Sequence, residues 1–139
     1  MDSTLDWMAL CSVILFAKMF AISLYQGWHR IGRGSFRNAE DARFAGRQPV
    51  AEELPEVQRA ARAWANDVEN IPVFFALGII YVMCQASTAA APWLFGIFTA
   101  ARISHTVCYL NQLQPWRTLS YGLGIGCLIS MSVIIVRTL

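Results

Sequence analysis

Charge is almost confined to one stretch of this chain. Between Arg30 and Glu69 stand seven arginines (Arg30, Arg33, Arg37, Arg43, Arg47, Arg59, Arg62) and seven acids (Glu40, Asp41, Glu52, Glu53, Glu56, Asp67, Glu69), and the rest of the chain carries only six charges. What remains is a set of long apolar runs. Over the full 139 residues, 56% are hydrophobic and 14% charged, against roughly 45–50% and 25% in an ordinary soluble domain. A domain of this size buries a comparatively small share of its surface, so it cannot hide that much apolar area from water. The composition argues against a soluble enzyme, a disordered chain and a disulfide-stapled secreted module, and leaves a small integral membrane protein.

Four apolar segments are legible, and they predict an all-α integral membrane four-helix bundle in a single domain over 1–139. The helices are expected at about 7–28, 57–85, 93–110 and 116–136, with a loop over about 29–56. The first segment, from Trp7 to Trp28, would rise about 33 Å as a helix, enough for the hydrocarbon core. Asp2 and Asp6 precede it where a signal peptide would carry basic residues. Trp7, Trp28, Trp64, Trp93 and Trp116 fall at or near the expected helix ends, where amphipathic rings favour the membrane–water interface. The arginine-rich loop and the Asn111–Pro115 turn, followed by Arg117, are expected on the cytoplasmic side. Cys11, Cys84, Cys108 and Cys127 form no CxxC pair and sit in apolar stretches, which reads as small hydrophobes rather than a metal or redox site. The glycines of Gly122–Gly126 read as close helix packing, since no strand precedes them. The basic loop is neutralised locally and no aromatic platform interleaves with it, so no nucleic-acid partner is expected.

Polar groups inside spanning helices are costly and point to function. On the second helix Arg62, Asn66 and Glu69 lie at i, i+4 and i+7, one face, with Asp67 directed elsewhere. On the third, Arg102, His105, Thr106 and Tyr109 form a second polar face; on the fourth, Arg117, Thr118 and Tyr121 occupy the first turns. Arg30 stands just beyond the first helix. These groups converge on one side of the membrane. They suit a small anionic ligand that also carries an amine, with arginines for carboxylates and Glu69 for the ammonium. An interhelical salt-bridge network is the competing structural reading, and His105 is as readily a packing residue. Arg37 and Arg43 read as loop charges. Lys18, near the middle of the first helix, is expected to pair inside the bundle or to snorkel.

The stretches FRNAEDARFAG (Phe36–Gly46), RAWANDVENIPVF (Arg62–Phe74) and ARISHTVCYL (Ala101–Leu110) resemble the MAPEG family, the membrane-associated proteins in eicosanoid and glutathione metabolism. The resemblance runs from about Lys18 to the end of the fourth helix. It is nearest the microsomal glutathione transferase and prostaglandin E synthase branch, as marked by Asn66, Asp67, Glu69 and Asn70. The resemblance implies a homotrimer with glutathione bound between neighbouring subunits near the cytoplasmic face. It implies that Arg30, Arg62, Asn66, Glu69, His105, Tyr109 and Tyr121 line the glutathione site, a set to which the polar faces add Arg102, and that Arg117 and Thr118 stand near the sulfur as the catalytic pair, with no metal. Ala65 stands where the prostaglandin synthase carries an arginine, Thr118 replaces a serine, and the turn before Arg117 is about one residue shorter. These departures count against prostaglandin chemistry and leave generic glutathione conjugation intact.

The expected function is therefore a membrane glutathione transferase acting on a lipophilic electrophile held in the bilayer, with reduction of lipid hydroperoxides by the same thiolate as a second expected activity. The expected location is a bacterial inner membrane or the endoplasmic reticulum, with the site toward the cytoplasm. An eicosanoid-type isomerase using glutathione, and a ligand-binding scaffold without chemistry, stand as alternatives. So does a small multidrug-type exporter, although the first helix has Lys18 and no acid beyond Asp6 to carry proton coupling.

Overall fold

The computed structural model describes residues 3–139, and every regular element among them is a helix. Asp2 lies outside the described residues. The first helix, α1 (Thr4–Arg33), opens on a capping box. The Ser3 side chain accepts from the Asp6 backbone N–H at 3.1 Å, and the Asp6 carboxylate accepts from the Ser3 N–H at 3.4 Å. This satisfies donors that the helix itself leaves open. The helix does not stop where its apolar run ends at Trp28. It continues through His29, Arg30 and Arg33 and closes at Gly34, whose φ of 57° is a left-handed conformation that glycine adopts without a Cβ penalty. Apolar length sets how much helix can lie in lipid; the cap sets where the helix ends.

The expected loop over 29–56 is correspondingly shorter and contains a six-residue helix, α2 (Ala39–Phe44), which buries Ala42 alone. The second long helix, α3 (Pro55–Met83), begins on a proline at its first turn, where the missing N–H costs nothing. Trp64 therefore lies inside α3 rather than at its end. The helices α4 (Ala91–Leu110) and α5 (Trp116–Thr138) fall within two residues of their expected bounds. Three of the helices, α1, α3 and α5, are long and apolar enough to cross a membrane. Arg102 and His105 lower the hydropathy of α4.

The packing explains the pattern of apolar residues. On α3 the buried positions are Val57, Ala60, Ala63, Asp67, Asn70, Ile71, Phe74, Gly78 and Tyr81, a stripe at three- and four-residue steps. It faces Met8, Cys11, Leu15 and Ile22 of α1 and Ala91, Phe95, Phe98, Arg102 and His105 of α4. The helices α3 and α4 touch each other and α5, and both also touch α1; α1 and α5 share no packed contact among the described residues. Phe74 stacks on Phe98 with ring centroids 4.4 Å apart and meets Phe95 edge-on at 5.6 Å. Gly78 lies against the Met8 thioether, where a Cβ would force Met8 to shift. A second, smaller cluster packs Tyr109 and Leu110 with Ile22, Tyr25, Ala60 and Ala63. This brings the C-terminal ends of α1 and α4 to the same level as the N-terminal part of α3.

The outer faces remain apolar: Val13, Phe16, Phe20 and Leu24 on α1 and Ile129, Val133 and Val136 on α5 are all exposed. All four cysteines are free, with Cys11 and Cys127 buried. The buried Tyr81 hydroxyl donates to the Ser87 carbonyl at 2.8 Å, tying the end of α3 to the turn that follows. Tyr81→Phe is expected to lower stability by about 1 kcal/mol, the net worth of one such bond, read as a lower unfolding midpoint in detergent.

Candidate functional site

Three charged residues interrupt the buried stripes, one from each of three helices. Lys18 continues the Met8, Cys11, Leu15 series of α1; Asp67 follows Ala60 and Ala63 on α3; Arg102 follows Phe95 and Phe98 on α4. They meet. Asp67 is fully buried and accepts from Lys18 Nζ on Oδ2 and from Arg102 Nη2 on Oδ1, the latter at 2.8 Å. Arg102, 1% exposed, also donates from Nη2 to Asn66 Oδ1 at 2.6 Å and stands 3.5 Å from His105 Nδ1. Lys18 is thus held by a pairing inside the helix bundle. Asp67, directed away from the Arg62 and Glu69 face as its helical angle requires, is the hub of the cluster.

From His105 the polar path runs toward the α4–α5 turn. Its ring lies 5.7 Å from Tyr109 and 6.3 Å from Tyr121, centroid to centroid. The Arg117 guanidinium sits over the Tyr109 ring, 4.7 Å from its centroid, a cation–π contact that holds the cation at a fixed place. Gln114 joins the next two residues. With its amide oriented to satisfy both neighbours, the oxygen accepts from Arg117 Nε at 3.2 Å and the nitrogen approaches Thr118 Oγ1 at 3.1 Å. Arg117 is half-buried, and Thr118 and Tyr121 are exposed.

The expected site residues therefore divide. One chain brings together Asn66, Arg102, His105, Tyr109, Arg117, Thr118 and Tyr121. It does not bring Arg30, Arg62 or Glu69 to them. Arg62 and Glu69 lie on the exposed face of α3. Arg30 pairs with the loop, donating from Nε and Nη2 to Glu53 Oε2 at 2.9 and 2.6 Å. It lines a polar recess of about 170 Å³ with Phe36, Arg37, Asn38, Asp41 and Glu53. Arg102 departs from its expected place on a ligand-facing surface. It occupies a stripe of buried positions, so its guanidinium is spent on Asp67 and Asn66 inside the protein.

Two residues that matter here were not among those expected to form the site. Asp67 could have been found from spacing, because Ala60, Ala63, Asp67, Ile71, Phe74 and Gly78 keep one buried face. A carboxylate in that series must meet a cation, and Lys18 and Arg102 interrupt the equivalent series on the neighbouring helices. Gln114 carries no such signal, since its contacts depend on the turn geometry.

Residues 8–137 of the chain match the MAPEG family. Prostaglandin E synthase of Homo sapiens is 35% identical over 116 residues, covering 83% of this chain and 76% of the relative. Microsomal glutathione S-transferase 1 of Homo sapiens is 35% identical over 126 residues, covering 87% and 81%. The same transferase of Rattus norvegicus is 34% identical over 132 residues, covering 91% and 85%.

Proposed function

Because the chain belongs to the MAPEG family and is a membrane protein by its apolar helices, we propose that it is a membrane-bound glutathione transferase, assembled as a homotrimer, that delivers the glutathione thiolate to lipophilic electrophiles. All four long helices cross the bilayer in this reading, as one domain. The polar residues of α4 are then shielded by the neighbouring helices, with the site on the side of the arginine-rich loop. That side is the cytoplasm by the positive-inside rule, whether the membrane is a bacterial inner membrane or the endoplasmic reticulum.

The observation that carries the reading is Arg117: a half-buried guanidinium over the Tyr109 ring, with Thr118 next in the chain and joined to it through Gln114, and no carboxylate paired to it among the described residues. A cation held in that way favours an anion at its free edge. Glutathione supplies a thiol, which titrates like a free cysteine at about 8.5, and the thiolate is its reactive form. Arg117 lowers the free energy of that thiolate, and the hydroxyl of Thr118 or Tyr121 donates a hydrogen bond to it. The sulfur then forms a bond to the electrophilic carbon as the leaving group departs with its electron pair. No residue of the chain has to form a covalent bond, and none of the four cysteines is required.

The other donors match the rest of the peptide. Arg30 and Arg62 fit its two carboxylates and Glu69 its ammonium. Their exposure, with no polar contact to Arg117 among the described residues, fits a site completed by a neighbouring subunit. Glu69→Gln is expected to weaken glutathione binding about tenfold, the loss of one charge-assisted contact, with turnover at saturating glutathione changed less than threefold. Calorimetric titration beside saturation kinetics reads both. A fall in turnover with unchanged binding would remove Glu69 from the binding role.

The direct test is conjugation of glutathione to a chloronitrobenzene by the purified protein in detergent. Absence of turnover, with no thiolate absorbance on adding glutathione, would refute the proposal. An isomerase acting on a prostaglandin endoperoxide is the second reading, since a prostaglandin E synthase is as similar to this chain as the transferase is. Ala65, a small side chain where that synthase branch carries an arginine, favours conjugation. The ratio of isomerisation to conjugation measured on one preparation separates them, and reduction of a lipid hydroperoxide tests the peroxidase activity.

A further inference from the structure

Every bond that Arg102 makes runs through one nitrogen. Nη2 donates to Asp67 Oδ1 at 2.8 Å and to Asn66 Oδ1 at 2.6 Å and faces His105 Nδ1 at 3.5 Å, while Nε is buried without a partner. A guanidinium has donors and no acceptor. Two consequences follow from that chemistry alone. Asn66 is fixed with its carbonyl oxygen inward, so the half-buried side chain has only its NH2 left to offer outward. His105 Nδ1 faces the same donor-only nitrogen, which favours a bare Nδ1 and places the ring proton on Nε2, the nitrogen away from Arg102.

We propose that the buried Asp67–Arg102 pair is a positioning device that fixes Asn66 and His105 together as hydrogen-bond donors toward the anionic ligand. The inference rests on the glutathione reading for the identity of that ligand and on the geometry alone for the donor assignment. Asp67 acts through Arg102 and touches no ligand. Its carboxylate holds the guanidinium at a fixed place, and the guanidinium dictates which face Asn66 and His105 present. Lys18 occupies the other oxygen of Asp67 and keeps the carboxylate paired, but it touches neither Asn66 nor His105 in this arrangement.

Nitrogen-15 NMR of the histidine rings, in the ligand-free protein in detergent with His29→Gln removing the second histidine, reads the donor assignment without reference to activity. The expected spectrum at neutral pH has Nε2 protonated and Nδ1 bare. A proton on Nδ1, or an imidazolium, would overturn the proposal. Asp67→Asn is expected to give a mixture of tautomers and to weaken glutathione binding about tenfold. Lys18→Met, which leaves the Asp67–Arg102 contact in place, is expected to keep the Nε2-protonated form and to change binding less than threefold. If both variants lost binding equally with the tautomer unchanged in each, the cluster would hold the helices together and position nothing. If the unsubstituted protein bound no glutathione while His105 showed the expected tautomer, the function proposed above would fail and the donor assignment would stand.

Discussion

Arg117→Ala is expected to lower the turnover of glutathione conjugation about a hundredfold, the scale on which a donor aimed at a developing or reacting anion is worth, or about 2.7 kcal/mol of barrier. The affinity for glutathione itself is expected to fall by less, because in the proposed site Arg30, Arg62 and Glu69 are the residues that would hold the parts of the peptide remote from the sulfur. The asymmetry is the informative part. A residue that binds substrate and transition state alike changes KM; one that stabilises the reacting sulfur changes kcat. Arg117→Lys keeps the charge and loses the guanidinium's fork of donors and its place over the Tyr109 ring. It is expected to recover only part of the rate. Kinetics at saturating glutathione for the three proteins check the order: unsubstituted, then lysine, then alanine. Equal loss of binding and turnover in the alanine variant would place Arg117 among the binding residues.

The second large effect is on stability. Asp67→Ala removes the one carboxylate that both Lys18 and Arg102 face and leaves two cations in a site closed to water. Breaking a buried pair from one side costs about 3–5 kcal/mol, because the remaining charge keeps its desolvation penalty and loses its partner. The variant is expected to unfold at a markedly lower temperature in the same detergent. The combined change Lys18→Met, Asp67→Leu and Arg102→Met removes all the charges at once. It is expected to be near neutral or stabilising, since apolar side chains of similar size fill the space without a desolvation penalty. Thermal unfolding of the two proteins compares them directly. If the triple variant were as unstable as Asp67→Ala, the cluster would contribute stability of its own. The expected result leaves its presence to be explained by what it positions.

Much of this was legible in the sequence, and for identifiable reasons. The four apolar segments, the alternation of inward and outward residues and the position of the α4–α5 turn all follow from hydropathy and from the 3.6-residue period. What escaped was set by local caps and by packing. Helix α1 runs five residues past Trp28 to Arg33, because Gly34 and not the loss of hydropathy ends it. Helix α2 is too short to have a period. Arg102 shares a helical face with His105 and Tyr109, and spacing alone does not say whether that face looks toward a ligand or toward a neighbouring helix. The fully buried Phe95 and Phe98 settle it: Arg102 continues their stripe and is buried with them. Asp67 shows the same ambiguity resolved in the same direction, into the interior. Asp67 is five residues from Arg62 and two from Glu69, which turns it about 140–160° from that exposed face, and in a helix buried on one side that means inward.

The division of the polar residues into a buried half and an exposed half also gives the low charge count its meaning. Lys18, Asp67 and Arg102 form a closed set inside one chain, with Asn66 and His105 at its edge. Of the charged residues expected at the site and lying outside that set, Arg62, Glu69 and Arg117 have no ion-pair partner among the described residues, and Arg30 is paired with Glu53. Those four carry three positive charges and one negative, the complement of a peptide with two carboxylates, a thiolate and an ammonium.

Ultraviolet difference absorbance on adding glutathione to the purified protein at neutral pH tests the central claim most directly, because the thiolate absorbs where the thiol does not. The account predicts a thiolate band that saturates with glutathione, is missing when S-methylglutathione replaces it, and is strongly reduced in Arg117→Ala at concentrations where glutathione still binds. Saturable glutathione binding without a thiolate band, or an undiminished band in Arg117→Ala, would contradict it.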